Sequence, residues 1–114
     1  MQSDSGEIVM KVAVVSSDRV HVDGHFGEAE RFLIFEINGA EPRLLEERSC
    51  LPSASNGNAY AFHPEQLDQI LGVLDDCDKV FVTHIGRTPA ARLRVQGIEP
   101  VVYEGPIGGI KSMF

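Results

Sequence analysis

The sequence predicts a single α/β domain in which a mixed β-sheet is covered by helices. Three observations carry that prediction: a dense apolar run, "MKVAVVS", near the start; two strand-like segments, "RFLIFEI" and "RLLEERS", joined across "NGAEP"; and two later alternations of helix and strand. A length of 114 residues leaves room for one compact domain and no second.

Residues 1–9 are polar and read as a loose leader. In "MKVAVVS", Val12, Ala13, Val14 and Val15 follow one another without polar interruption, as a central strand buried on both faces requires. Ser16, Ser17 and Asp18 end it with side chains that hydrogen-bond their own backbone. The next stretch, "RVHVDGHFGEAE", sets Gly24 and Gly27 around His25 and reads as a loop with at most a short helical turn after Gly27. In "RFLIFEI", alternation places Phe32, Ile34 and Glu36 on one face and Leu33, Phe35 and Ile37 on the other. Asn38 and Gly39 favour a reversal, so this strand and "RLLEERS" form an antiparallel hairpin.

Residues 50–62 are rich in Ser, Asn, Gly and Pro and read as a long irregular connection. A helix opens at Pro64, whose missing N–H costs nothing in a first turn, and Leu67, Ile70, Leu71 and Leu74 form its apolar face. "KVFVTHIG" supplies a further buried strand. Thr88 is expected to cap a helix begun by Pro89, Gly97 to end it, and "IEPVVYEG" to give a last short strand. The domain is expected to occupy residues 10–104, with 105–114 a loop or tail.

Seventeen acidic against 10 basic residues give a formal charge of -7, and no Lys or Arg cluster overrides it, which argues against nucleic-acid binding. No signal peptide and no apolar stretch of spanning length is apparent, so a cytoplasmic protein away from membranes is expected. Two cysteines make no disulfide framework. Walker, HExxH, CxxC and GxSxG motifs are all missing, and Asp75, Asp76 and Asp78 crowd into one turn rather than forming a separated carboxylate set. A binding protein is therefore expected rather than an enzyme.

The chemistry concentrates on a few side chains. His25, between two glycines that let a bulky ligand approach, is either a metal or cofactor contact or a polar loop residue. Asp18 and His21 precede it, but the His21-x3-His25 spacing would be a zinc pair only in a helix, which Asp23 and Gly24 disfavour. Cys50 stands at the mouth of the long connection and is either a soft metal ligand or an ordinary thiol. His84 follows a strand, where open α/β sheets present ligand crevices; it either converges with the first loop or caps polar backbone. His63 reads as an N-cap or surface residue, and Cys77 as packing, its thiolate disfavoured by acidic neighbours.

"MKVAVVSSDRVHVDGHFGEAERFLIFEI" and "LDDCDKVFVTHIGRTPAARLRVQGIEPVV" together resemble the dinitrogenase iron-molybdenum cofactor biosynthesis family, which includes NifX- and NafY-type proteins and the C-terminal region of NifB-type proteins. The resemblance spans roughly residues 10–104. It implies a ribonuclease H-like fold and a non-catalytic carrier or storage role for the iron-molybdenum cofactor or an iron-sulfur precursor, with a cofactor-assembly donor or a nitrogenase acceptor as partner. The family's HFG histidine matches His25, while Cys50 and His84 are secondary candidates without equally specific support. A related protein type holds a molybdenum-copper sulfide cluster, an alternative cargo. A protein-interaction or regulatory module with no cargo is the competing reading.

Overall fold

In the computed structural model, residues 10–38, 41–49 and 64–113 are described. Strand β1 (Met10–Val14) forms the middle of a five-stranded sheet, as its uninterrupted apolar sequence requires. On one side it pairs antiparallel with β3 (Arg31–Ile37), which pairs antiparallel with β4 (Arg43–Ser49). On the other side it pairs parallel with β5 (Lys79–Val82), which pairs parallel with β6 (Glu99–Val102). The order is β4-β3-β1-β5-β6. A two-residue β2 (His21–Val22) lies outside this sheet and pairs with β7 (Gly105–Pro106).

The alternation read from "RFLIFEI" decides which core each side chain enters. Phe32 and Ile34 join Ala13, Val15, Val80 and Val82 beneath helices α1 (Pro64–Val73) and α2 (Arg87–Val95). Leu33, Phe35 and Ile37 join Val12, Val14 and Phe81 on the opposite face. From α1 and the turn after it, Leu67, Ile70, Leu71 and Leu74 are all buried in the helical layer, as their spacing predicts.

The opposite face is closed by the segment expected to be a loop or tail. Gly105 and Pro106 hydrogen-bond to β2, and a 3-10 helix (Ile107–Met113) follows, with Ile107 and Ile110 buried against the sheet. A 3-10 helix repeats every three residues, so this pair falls on one face. The expected Thr88 cap is also corrected: α2 begins at Arg87, Gly86 occupies the N-cap, and Thr88 and Pro89 lie in the first turn, where a missing N–H is tolerated. Gly97, at φ +84°, terminates α2 as anticipated.

Arg48, half-buried in an otherwise exposed β4, ties this edge strand to the helical layer. Its guanidinium donates to the Val73 carbonyl at 2.6 Å and to both Asp76 carboxylate oxygens at 2.8 and 3.0 Å. Lys11 Nζ donates to the same carboxylate at 2.9 Å. Among the described residues, no helix is long and apolar enough to cross a membrane.

Candidate functional site

After β1 the chain leaves the sheet and then returns to extend it. Val15 N–H still donates to Phe81 O at 3.1 Å, whereas residues 16–22 loop outward. Asp18 fixes that excursion. One carboxylate oxygen accepts from the Val20 and His21 amides at 2.8 and 2.9 Å, and the other lies 2.9 Å from His21 Nδ1. His21 and these amides hold the Asp18 carboxyl well below the usual carboxylate range. Asp18 and His21 thus brace the loop base, and Arg19 takes up its left-handed bend at φ 66°.

Gly24, His25 and Phe26 then come back beside the end of β5, in the lane that β1 has vacated. Thr83 N–H donates to Gly24 O at 2.9 Å, and Phe26 N–H donates to His84 O at 2.9 Å. These bonds make His25 and His84 partners in a single parallel bridge. Gly24 is required by space rather than by backbone conformation, because a Cβ there would sit 2.3 Å from Val15 Cγ1. Phe26 is fully buried, with its ring 5.8 Å from that of Phe32, and it pins the turn that follows (Phe26–Glu28) into the helical core.

The result is two exposed imidazoles side by side. Their ring centroids are 4.2 Å apart and their planes are tilted by 46°. His84 Nδ1 lies 3.2 Å from Thr83 Oγ1, a hydroxyl at the buried end of β5. Two residues after His84, Gly86 caps α2 without a side-chain hydrogen bond, and that helix end carries the positive end of the dipole. His25 also lines an open cavity of ≈ 370 Å³, together with Ser17, Asp23, Glu28, Glu30 and Arg31 among others.

His25 and His84 are therefore brought together, the convergence with the first loop that was one of the two readings of His84 from the sequence. Cys50 and His63 lie outside the described residues. Cys77 is buried, its thiol pushed up to about 12, first by burial and then by the Asp76 charge, which suits packing rather than ligation. Among the described residues no group of three or more His, Cys, Asp or Glu side chains could hold a metal ion. Thr83 escaped the sequence reading; its place one residue before a strand-end histidine was the available signal.

Residues 9–112 match the family described as dinitrogenase iron-molybdenum cofactor. The chain is 38% identical over 101 residues to the FeMo cofactor biosynthesis protein NifB of Klebsiella pneumoniae, covering 80% of this chain and 20% of that protein. It is 30% identical over 106 residues to the protein NifX of Azotobacter vinelandii, covering 92% of this chain and 64% of that one. It therefore spans about a fifth and just under two thirds, respectively, of the relatives it matches. Among solved structures, the crystal structure of PH0822 shares the fold with a TM-score of 0.62 at 24% identity, over 92% of this chain and 89% of that one. With the match running through both segments that carry the paired histidines, the chain belongs to the dinitrogenase iron-molybdenum cofactor family.

Proposed function

We propose that this protein binds an iron-molybdenum cofactor, or an iron-sulfur precursor of it, and passes it between a cofactor-assembly donor and a nitrogenase acceptor without chemical turnover. The observation that carries the reading is the pair of exposed imidazoles at the sheet end, in a chain whose family match covers almost its whole length. The relatives' names, a FeMo cofactor biosynthesis protein and NifX, support the choice of cargo. We also read the sheet as the ribonuclease H-like arrangement, a reading supported by the antiparallel β4-β3-β1 half joined to the parallel β1-β5-β6 half.

In this mechanism His25 is the principal contact and His84 supplements it. A neutral imidazole ligates iron or molybdenum-iron centres through a ring nitrogen. Asp23, Glu28 and Glu30 give the neighbouring cavity a charge that repels an anionic cluster, so the cargo sits toward His84, where the uncapped α2 amides attract its sulfide or carboxylate oxygens. Few contacts on an open surface suit a carrier that must release what it holds.

The test is anaerobic titration with isolated iron-molybdenum cofactor, followed by removal of unbound cargo, metal analysis and visible absorption. Stoichiometric retention is expected, falling at least about tenfold in His25→Ala, since loss of even an outer partner costs a metal site that much. Retention unchanged in the folded His25→Ala variant would sink the assignment. Cys50→Ser, carried through the same titration, tests whether a thiolate adds to the imidazoles. Uptake of a molybdenum-copper sulfide cluster in preference would reassign the cargo.

A further inference from the structure

We infer that His25 and His84 together chelate one divalent transition-metal ion, copper(II) being the best fit, at the same two imidazoles that the carrier reading gives to the cluster. A metal bound about 2.05 Å from an imidazole nitrogen lies roughly 3.2 Å from that ring's centroid. Two such rings at a right angle about one ion therefore have centroids about 4.5 Å apart, and at a tetrahedral angle about 5.2 Å apart. The observed separation is 4.2 Å, short of both values by about 1 Å or less, and both side chains are exposed and free to turn a ring nitrogen toward one ion. The general order of metal affinities favours copper(II) over zinc at such an imidazole site.

Three further features suit the site to a cation. The backbone bonds from Thr83 to Gly24 and from Phe26 to His84 fix both histidines on the same sheet end, so the chelate needs no rearrangement of the chain. Thr83 Oγ1 lies next to His84 Nδ1, which leaves Nε2 as the ligating nitrogen; with the metal bound, Nδ1 carries the proton and the Thr83 hydroxyl accepts it in a hydrogen bond. Asp23, Glu28 and Glu30 outnumber Arg31 in the cavity lining at His25 and favour positive charge on that side, opposing the positive end of α2 that follows His84. Two protein nitrogens leave the remaining positions to water, which makes the ion exchangeable. Thr83 is thus a positioning residue for this site.

The test uses copper(II) alone with the full chain, read by electron paramagnetic resonance for nitrogen superhyperfine coupling and by titration for affinity. The expected result is one copper with two imidazole nitrogens. His25→Ala and His84→Ala should each reduce the signal to one nitrogen and weaken binding at least about tenfold. Thr83→Val should also weaken it about tenfold, and Thr83→Ser should restore it. His21→Gln and His63→Gln should leave the two-nitrogen signal intact. A signal unchanged in His25→Ala or in His84→Ala, or one lost in His21→Gln or His63→Gln, overturns the inference. Both site histidines are exposed, and thermal unfolding of each variant verifies the fold. Copper binding that fails while cluster uptake persists refutes this inference alone; cluster uptake that fails while copper binds refutes only the carrier reading.

Discussion

Gly24→Ala tests how the loop regains its place in the sheet. The added methyl would lie 2.3 Å from Val15 Cγ1, where ordinary contact begins at 3.4 Å, so the loop or the Val15 side chain must move by about 1 Å. Val15 is buried and stiff at χ1, which directs much of that movement into the loop. Overpacking of this kind costs about 1–3 kcal/mol, offset in part by the roughly 0.4–1 kcal/mol that alanine saves in the unfolded chain. A net loss of about 1–2 kcal/mol is expected, readable in urea unfolding followed by circular dichroism.

The decisive measurement is a double-mutant cycle. Val15→Ala removes Cγ1, and the methyl introduced by Gly24→Ala then has the Cβ and carbonyl oxygen of residue 15 at 3.5 and 3.9 Å, both ordinary contacts. In that background only the unfolded-chain saving remains, so Gly24→Ala should stabilise by roughly 0.4–1 kcal/mol, giving a coupling equal to the steric term of about 1–3 kcal/mol. Costs that add within about 0.5 kcal/mol would refute the steric account. Because residue 24 adjoins His25, ligand retention should fall in Gly24→Ala and recover in the double variant.

Two further expectations follow from the packing. Arg48→Met removes the bonds to Val73 and Asp76 and should cost roughly 1–3 kcal/mol in urea unfolding. Arg48, then Lys11, hold the Asp76 carboxyl well below its ordinary 3.8, so the stability this group contributes is present above pH 3.8 and lost as pH falls below it; Arg48→Met should flatten that acid limb. Cys77 should resist iodoacetamide at pH 8 in the folded protein and react once unfolded, as peptide mass mapping would show. Its thiol is raised from 9.0 to about 12, so its contribution is complete below pH 9 and is lost as pH rises toward 12. Prompt alkylation of folded Cys77 would contradict its burial.

The sheet could be read from residue order because its rules are local. Strict alternation sorted Phe32 and Ile34 from Leu33, Phe35 and Ile37, and burial of β1 on both faces followed from its run of valines. What escaped depended on partners distant in sequence. His21–Val22 is too short to show a period, and it is a strand only because Gly105–Pro106 lies against it. Ile107 and Ile110 sit among glycines in a stretch that reads as a tail until a third-residue repeat is considered. Thr88 has the chemistry of a cap, yet the helix starts one residue before it, at Arg87. At the site, His25 and His84 could each be named from flanking glycines and strand position. Their contact, and the place of Thr83 beside it, required the return of the loop into the lane of β1.

That return has a kinetic consequence. The two imidazoles meet only after a parallel pairing between segments far apart in the chain, a slower class of event than closing the local hairpin of β3 and β4. A partly folded chain presents two separate histidines with no chelating power beyond that of either one. Bidentate capture therefore switches on when that long-range contact forms, and the rate at which refolding protein acquires a two-nitrogen metal signal times the pairing of the loop with the end of β5.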